Sequence, residues 1–130
     1  MNIGQAAAAS GVTAKMIRYY ESIGLVPAAQ RAGSGYRVYG TRDLHTLRFI
    51  RRARKLGFSL DRIGELLSLW QDGSRASADV KHIALAHVAE LEERIRELTE
   101  MRDTIATLAA CCHGDERPDC PILQGIAADG

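Results

Sequence analysis

The sequence predicts a mainly α chain: a helix-turn-helix with a small β-hairpin wing, a long helix that pairs with a second copy, and a C-terminal cysteine-bearing loop. Three observations predict it. Residues 1–70 carry eleven Lys/Arg against four Asp/Glu, a balance of +7, whereas residues 71–130 carry six against twelve, a balance of −6. A narrow apolar stripe repeats through about thirty residues of the second half, as in a coiled coil. All three cysteines fall in the last twenty residues.

The elements follow in order. Asn2 and Gln5 form the N-x-x-Q pattern of a capping box and open a short helix through the alanine run, which Ser10-Gly11 breaks. Thr13 caps a second helix from Ala14 to about Ile23, with Gly24 as its stop. Two short helices joined by a tight Gly-containing turn describe a helix-turn-helix, and the second carries Lys15, Arg18, Tyr19 and Tyr20. Tyr36/Val38 alternate with Arg37/Tyr39 beside a Gly-Ser-Gly turn, the pattern of a small hairpin tipped with Arg31 and Arg37. Thr41-Arg42-Asp43 starts a third helix to about Leu56, buried along Leu44, Leu47, Ile50 and Ala53. It ends in the basic cluster Arg48, Arg51, Arg52, Arg54 and Lys55. Gly57 stops it, and Ser59 caps a fourth helix with the stripe Leu60, Ile63, Leu67 and Trp70.

Residues 71–76 read as a polar linker, and Ser77 as the cap of a long helix. Ala84, Val88, Leu91, Ile95, Leu98, Met101, Ile105 and Leu108 mark its seam, flanked by glutamates and arginines. A helix this long with one narrow stripe is unstable alone. Helix four is too short to cover it, so a second copy of the chain is the expected partner. The expected domains are therefore 1–70 for DNA binding, 77–108 for dimerisation, and 109–130 for a metal-binding loop with a short final turn in which Ile122, Leu123 and Ile126 pack.

The basic half, with aromatic residues among its arginines, implies contact with double-stranded nucleic acid at one end of the chain only. The opening residues show no export signal, and no stretch reaches the roughly 18 apolar residues of a membrane span. The expectation is a cytoplasmic protein with no membrane partner. Clustered cysteines in such a chain point to metal or redox chemistry rather than a disulfide framework. A thiol–disulfide enzyme would show C-x-x-C at a helix start, and an iron–sulfur cluster would need four cysteines, so no enzymatic activity is expected.

Cys112 and Cys120 close a loop rich in Gly, Pro and acidic residues, a setting unlike that of buried structural thiols. Zinc usually takes four ligands. Two thiolates suffice for a soft monovalent ion, so Cu(I) is the expected effector, with Ag(I) and Au(I) as alternatives. Such a complex carries net negative charge. A helix N-terminus at Ser77, with Lys81 one turn in, would offset it, and Ser77 withholds the third soft ligand that a divalent ion would want.

These residues carry a family likeness over nearly the whole chain. The opening Met-Asn-Ile-Gly, Lys15-x-x-Arg18-Tyr19-Tyr20-Glu21-x-x-Gly24-Leu25, Gly35-Tyr36-Arg37-x-Tyr39, and Arg51-x-x-Arg54-x-x-Gly57-Phe58-Ser59-Leu60 resemble the MerR family of regulators. Ser77-Ala78-Asp79-Val80-Lys81 and Cys112-x7-Cys120-Pro121-Ile122 resemble its copper-responsive CueR/HmrR branch, from which the loop departs at Cys111, His113 and Pro118. The resemblance implies DNA contacts by Lys15, Arg18, Tyr20, Arg31, Tyr36 and Arg37. It implies an antiparallel coiled coil that sets Ser77 of one subunit over the Cys112–Cys120 loop of the other. It also implies a homodimer that distorts a promoter with an overlong spacer for RNA polymerase, activating metal-efflux or detoxification genes. The alternatives are a Zn, Cd, Pb or Hg sensor of the same fold and a thiol-redox regulator.

Overall fold

The computed structural model describes residues 1–27, 30–31 (by backbone), 37–116, 118 and 120–128. The chain divides into two compact units, Met1–Val80 and Lys81–Gly130.

The first unit begins with α1 (Ile3–Ser10). The Asn2 side chain accepts from the Gln5 amide at 2.8 Å, and the Gln5 side chain accepts from the Asn2 amide at 2.9 Å, so two of the helix's orphan donors are satisfied reciprocally. Gly11 ends α1 at φ +77°, where its amide returns to Ala7. Thr13 then caps α2 (Ala14–Ser22) by accepting from the Met16 amide at 3.2 Å. The expected stop at Gly24 is present, with φ +76°.

The wing is two residues per strand: β1 (Gln30–Arg31) and β2 (Arg37–Val38) pair antiparallel, Gln30 opposite Val38 and Arg31 opposite Arg37. Its Gly-Ser-Gly turn and Tyr36 lie outside the described residues. Next, α3 (Thr41–Lys55) starts where the Asp43 carboxylate accepts from the Gly40 amide at 2.8 Å. Leu44, Leu47, Ile50 and Ala53 are all buried along it, as the spacing predicted. Ser59 caps α4 (Leu60–Gln71).

The core of this unit is one cluster in which Ile17 of α2, Leu47 and Ile50 of α3, Ile63 of α4, Val26 and Tyr39 are its largest fully buried side chains. Each such residue contributes roughly 1.5–3 kcal/mol relative to exposure. The α4 stripe is corrected at its end. Leu60 is partly buried and Ile63 and Leu67 are buried, but Trp70 is 47 % exposed and stacks on Phe49 of α3, with centroids 4.8 Å apart. The helix ends within a turn of Trp70, beyond the reach of the core.

In the linker, the amide and hydroxyl of Ser74 both donate to Asp72, at 2.9 and 2.7 Å. Those bonds hold the Asp72 carboxyl below its usual range. Ser77 is the first residue of α5 (Ser77–Ala110) rather than its cap.

The second unit is the body of α5 with α6 (Pro121–Ala127). The 34 residues of α5 make a rod about 50 Å long. Its seam is open: Val88, Ile95, Leu98, Met101 and Ile105 are exposed in the single chain. In the single chain the final turn packs only in part. Ile122 is half-buried, whereas Leu123 and Ile126 are each 68 % exposed. The helix instead approaches α5 through Gly125, whose absent Cβ would lie 2.7 Å from Leu108 Cδ1. Among the described residues no helix is long and apolar enough to cross a membrane.

Candidate functional site

Two groups of residues carry chemistry. The first is built on α2 and the wing. Lys15 and Arg18, three residues apart on α2, are both exposed, while Ile17 on the opposite side is buried. Tyr19 is 46 % exposed and Tyr20 only 3 %. The exposed aromatic on this helix is thus Tyr19, while Tyr20, expected to meet DNA, packs in the core with its ring 6.1 Å from that of Tyr19. Arg31 lies in β1 by its backbone, and its side chain lies outside the described residues, as does the whole of Tyr36.

Arg37 is anchored rather than free. Its Nη1 donates to Glu21 Oε2 at 2.6 Å, and the Tyr39 hydroxyl donates to Glu21 Oε1 at 2.5 Å. The Glu21 side chain is 6 % exposed, so the carboxylate is withdrawn from water and compensated by both donors. The neighbouring Tyr39 hydroxyl, and then the Glu21 charge, hold the Arg37 guanidinium above its usual value. Burial, and then the bond to Glu21, push the Tyr39 hydroxyl up. The Tyr39 backbone is pinned in turn: its amide donates to Met1 O at 2.7 Å, and the Met1 ammonium donates to Tyr39 O at 2.9 Å. Sequence reasoning missed Glu21 and Met1. The available signal was that Glu21 is the sole acid among the first 42 residues, set amid bases.

The second group is the thiol loop. Cys112 closes α5 by donating its amide to Ala109 O at 3.1 Å, Gly114 turns the chain at φ +68°, and Cys120 precedes Pro121, the first residue of α6. All three thiols are free; Cys111 is exposed, Cys112 and Cys120 are half-buried, and His113 is exposed. Arg117 and Asp119 lie outside the described residues. Among the described residues no three His, Cys, Asp or Glu side chains gather as a metal site. Lys81 and Cys112 stand at opposite ends of α5, about 45 Å apart along its axis. One chain alone does not bring them together.

The family described as MerR HTH family regulatory protein matches residues 1–70, and the one described as MerR, DNA binding matches residues 44–108. The chain belongs to the MerR family. The MerR members it resembles are transcription regulators, not enzymes. Heavy metal-dependent transcription regulator 2 of Rhizobium meliloti is 61 % identical over 98 % of this chain and 86 % of its own length. The HTH-type transcriptional regulator CueR of Escherichia coli O6:H1 is 45 % identical over 98 % of this chain and 94 % of its own. The transcription regulator PbrR691 of Ralstonia metallidurans CH34, solved in complex with lead(II), superposes with a TM-score of 0.84 at 30 % identity, covering 98 % of this chain and 99 % of that one.

Proposed function

We propose that this MerR-family chain is a cytoplasmic, homodimeric, metal-responsive activator of transcription whose effector is Cu(I), with Ag(I) and Au(I) as competing ligands. The observation that carries the reading is the pairing of two half-buried free thiols, Cys112 at the end of α5 and Cys120 at the start of α6, with no third ligand gathered among the described residues. Cys112 and Cys120 would hold a soft monovalent ion through their thiolates, which would tie α6 to the end of α5. Kinship with a regulator named as heavy metal-dependent supports a metal effector. The domains in this reading are residues 1–70 for DNA, 77–108 for dimerisation and 109–130 for sensing.

The open seam of α5 supports a two-chain coiled coil. In an antiparallel arrangement, Ser77 and Lys81 of one chain meet the thiol loop of the other. Lys81 then offsets the negative charge of the two-thiolate complex, and Ser77 adds no further ligand. Lys15, Arg18, Arg31, Tyr36 and Arg37 contact the promoter, while Tyr20 serves chiefly by packing α2, with its hydroxyl as any contact. Distortion of the spacer, repaid by phosphate contacts, realigns the promoter for RNA polymerase.

The lead(II) complex of PbrR691 favours a second reading, a divalent-metal sensor. A competition titration of Cu(I), Ag(I), Au(I) and Zn(II), read as transcription from the regulated promoter, separates the two. Activation by Cu(I) that is abolished by either Cys112→Ser or Cys120→Ser, with DNA binding intact, is the expected result. Activation by Zn(II) alone would establish the second reading.

A further inference from the structure

We propose that Cys111 is the entry thiol of the sensor: it takes Cu(I) from the carrier that delivers it and passes it to Cys112 and Cys120. This rests on the Cu(I) reading above and adds a residue which that reading leaves without a role. The three free thiols differ in access, Cys111 being exposed while Cys112 and Cys120 are half-buried.

Cys111 is not a third ligand of the resting site. Among the described residues no three His, Cys, Asp or Glu side chains form a group that could hold a metal ion. The backbone separates the neighbours. The Cys111 amide donates to Thr107 O at 3.2 Å, four residues back, so Cys111 is held by the last turn of α5. The Cys112 amide donates to Ala109 O at 3.1 Å, three residues back, where the turn tightens and the chain leaves the helix. Cys111 thus stands on the end of a rod, and Cys112 opens the loop that Cys120 closes.

Access decides which sulfur a carrier meets. A soft monovalent ion binds sulfur tightly, so it changes hands by ligand exchange rather than as a bare ion. Exchange requires an incoming thiolate that reaches the ion while the carrier still holds it, and cysteine reactivity follows exposure as well as thiolate character. A half-buried sulfur has less of that reach than an exposed one. The exposed His113 flanks Cys112 on its other side, but an imidazole matches Cu(I) less well than a thiolate does.

The transfer balances with no change of oxidation state. Cys111 gives its proton to solvent as its sulfur bonds Cu(I) and the bond from the ion to the carrier's ligand breaks. Cys112 Sγ then bonds and Cys120 Sγ displaces Cys111 Sγ; the two ligand thiols release their protons, and Cys111 recovers one. Neighbouring Cα atoms lie about 3.8 Å apart, so the passage from Cys111 to Cys112 needs side-chain rotation and no movement of the helix. A sulfur that bonds the ion only in passing lowers the barrier in both directions and leaves the equilibrium where it was.

The probe is the Cu(I) complex of bathocuproine disulfonate, whose colour is lost on capture by the whole chain and regained on release to excess chelator. Both directions are followed by stopped flow, under reducing conditions and without oxygen. Cys111→Ser is expected to slow capture and release equally, several-fold each, while the affinity read from the equilibrium absorbance stays at the wild-type value. His113→Ala is expected to leave both rates unchanged; circular dichroism checks the fold of each variant. Wild-type rates in Cys111→Ser overturn the proposal. A weakened affinity makes Cys111 a third ligand and overturns it too, as does equal slowing by His113→Ala, which traces the effect to the loop at large. Cys112→Ser runs alongside: if that variant binds Cu(I) as tightly as wild type, the two-thiol reading fails, whatever Cys111 does.

Discussion

Glu21 and Arg37 form an ion pair of 2.6 Å that fastens the wing to the recognition helix. The carboxylate at the end of α2 is almost wholly buried and spends its two oxygens on Arg37 and the Tyr39 hydroxyl. The end of α2 and the second strand of the wing are therefore tied together through one carboxylate.

Replacing Glu21 with alanine leaves the buried Tyr39 hydroxyl without its acceptor, at a cost of about 1–3 kcal/mol. Urea unfolding should register that loss. DNA affinity should fall further than stability alone explains, because the wing loses its register on α2. Glu21→Gln keeps an acceptor for Tyr39 and should recover most of the stability. Wild-type stability in Glu21→Ala would show that the clamp contributes nothing.

The same clamp predicts an alkaline transition. Burial, and then the bond to Glu21, raise the Tyr39 hydroxyl above its ordinary 10.0, so folding favours the protonated phenol. That contribution is fully present below pH 10 and is lost as pH rises through the higher folded value. Phenolate absorbance should show one late-titrating tyrosine that Tyr39→Phe removes. The variant should also lose the added alkaline slope in stability; a retained slope would place its origin elsewhere.

Much of the fold was legible because its signals are local. The Asn2–Gln5 capping box, the glycines at 11 and 24, and the buried side of α3 each rest on spacing within one turn or two. What escaped the sequence depends on tertiary neighbours. Tyr19 and Tyr20 are chemically identical and adjacent, and only packing decides that one is buried and the other exposed. Gly125 inside α6 carries no pattern of its own; its use is the close approach to Leu108, seventeen positions earlier. In the candidate site, spacing singled out Cys112 and Cys120. The distance along α5 that separates Lys81 from them follows from the helix being unbroken.

Trp70 gives the DNA-binding unit a spectroscopic reporter. It is the chain's single tryptophan and stacks on Phe49 at 4.8 Å with an interplanar angle of 16°. The stack is worth about 0.5–1.5 kcal/mol beyond its buried area. Trp70→Ala should lower the unfolding midpoint of this unit accordingly. With Trp70 retained, Phe49→Leu should change the tryptophan emission before any unfolding begins. Emission identical to wild type in Phe49→Leu would mean that the rings do not stack in solution.

The exposed seam of α5 makes the strongest demand on a second chain. Ile95 and Leu98 are 62 and 61 % exposed in the single chain, midway along a helix that buries only Ile83 among its described residues. An isolated helix with so little packing gains little from tertiary contact, so its stability must come from association. Leu98→Glu puts a charge into the seam and should convert the dimer to a monomer by sedimentation. Helix content should fall with it, and DNA affinity should drop by about 10²–10⁴ as the two binding units cease to act together. Glu93→Gln, outside the seam, should leave the sedimenting mass unchanged. A Leu98→Glu chain that still sediments as a dimer would move the interface off this stripe, and would remove the support it lends to the proposed meeting of Ser77 and Lys81 with the thiol loop of a second chain.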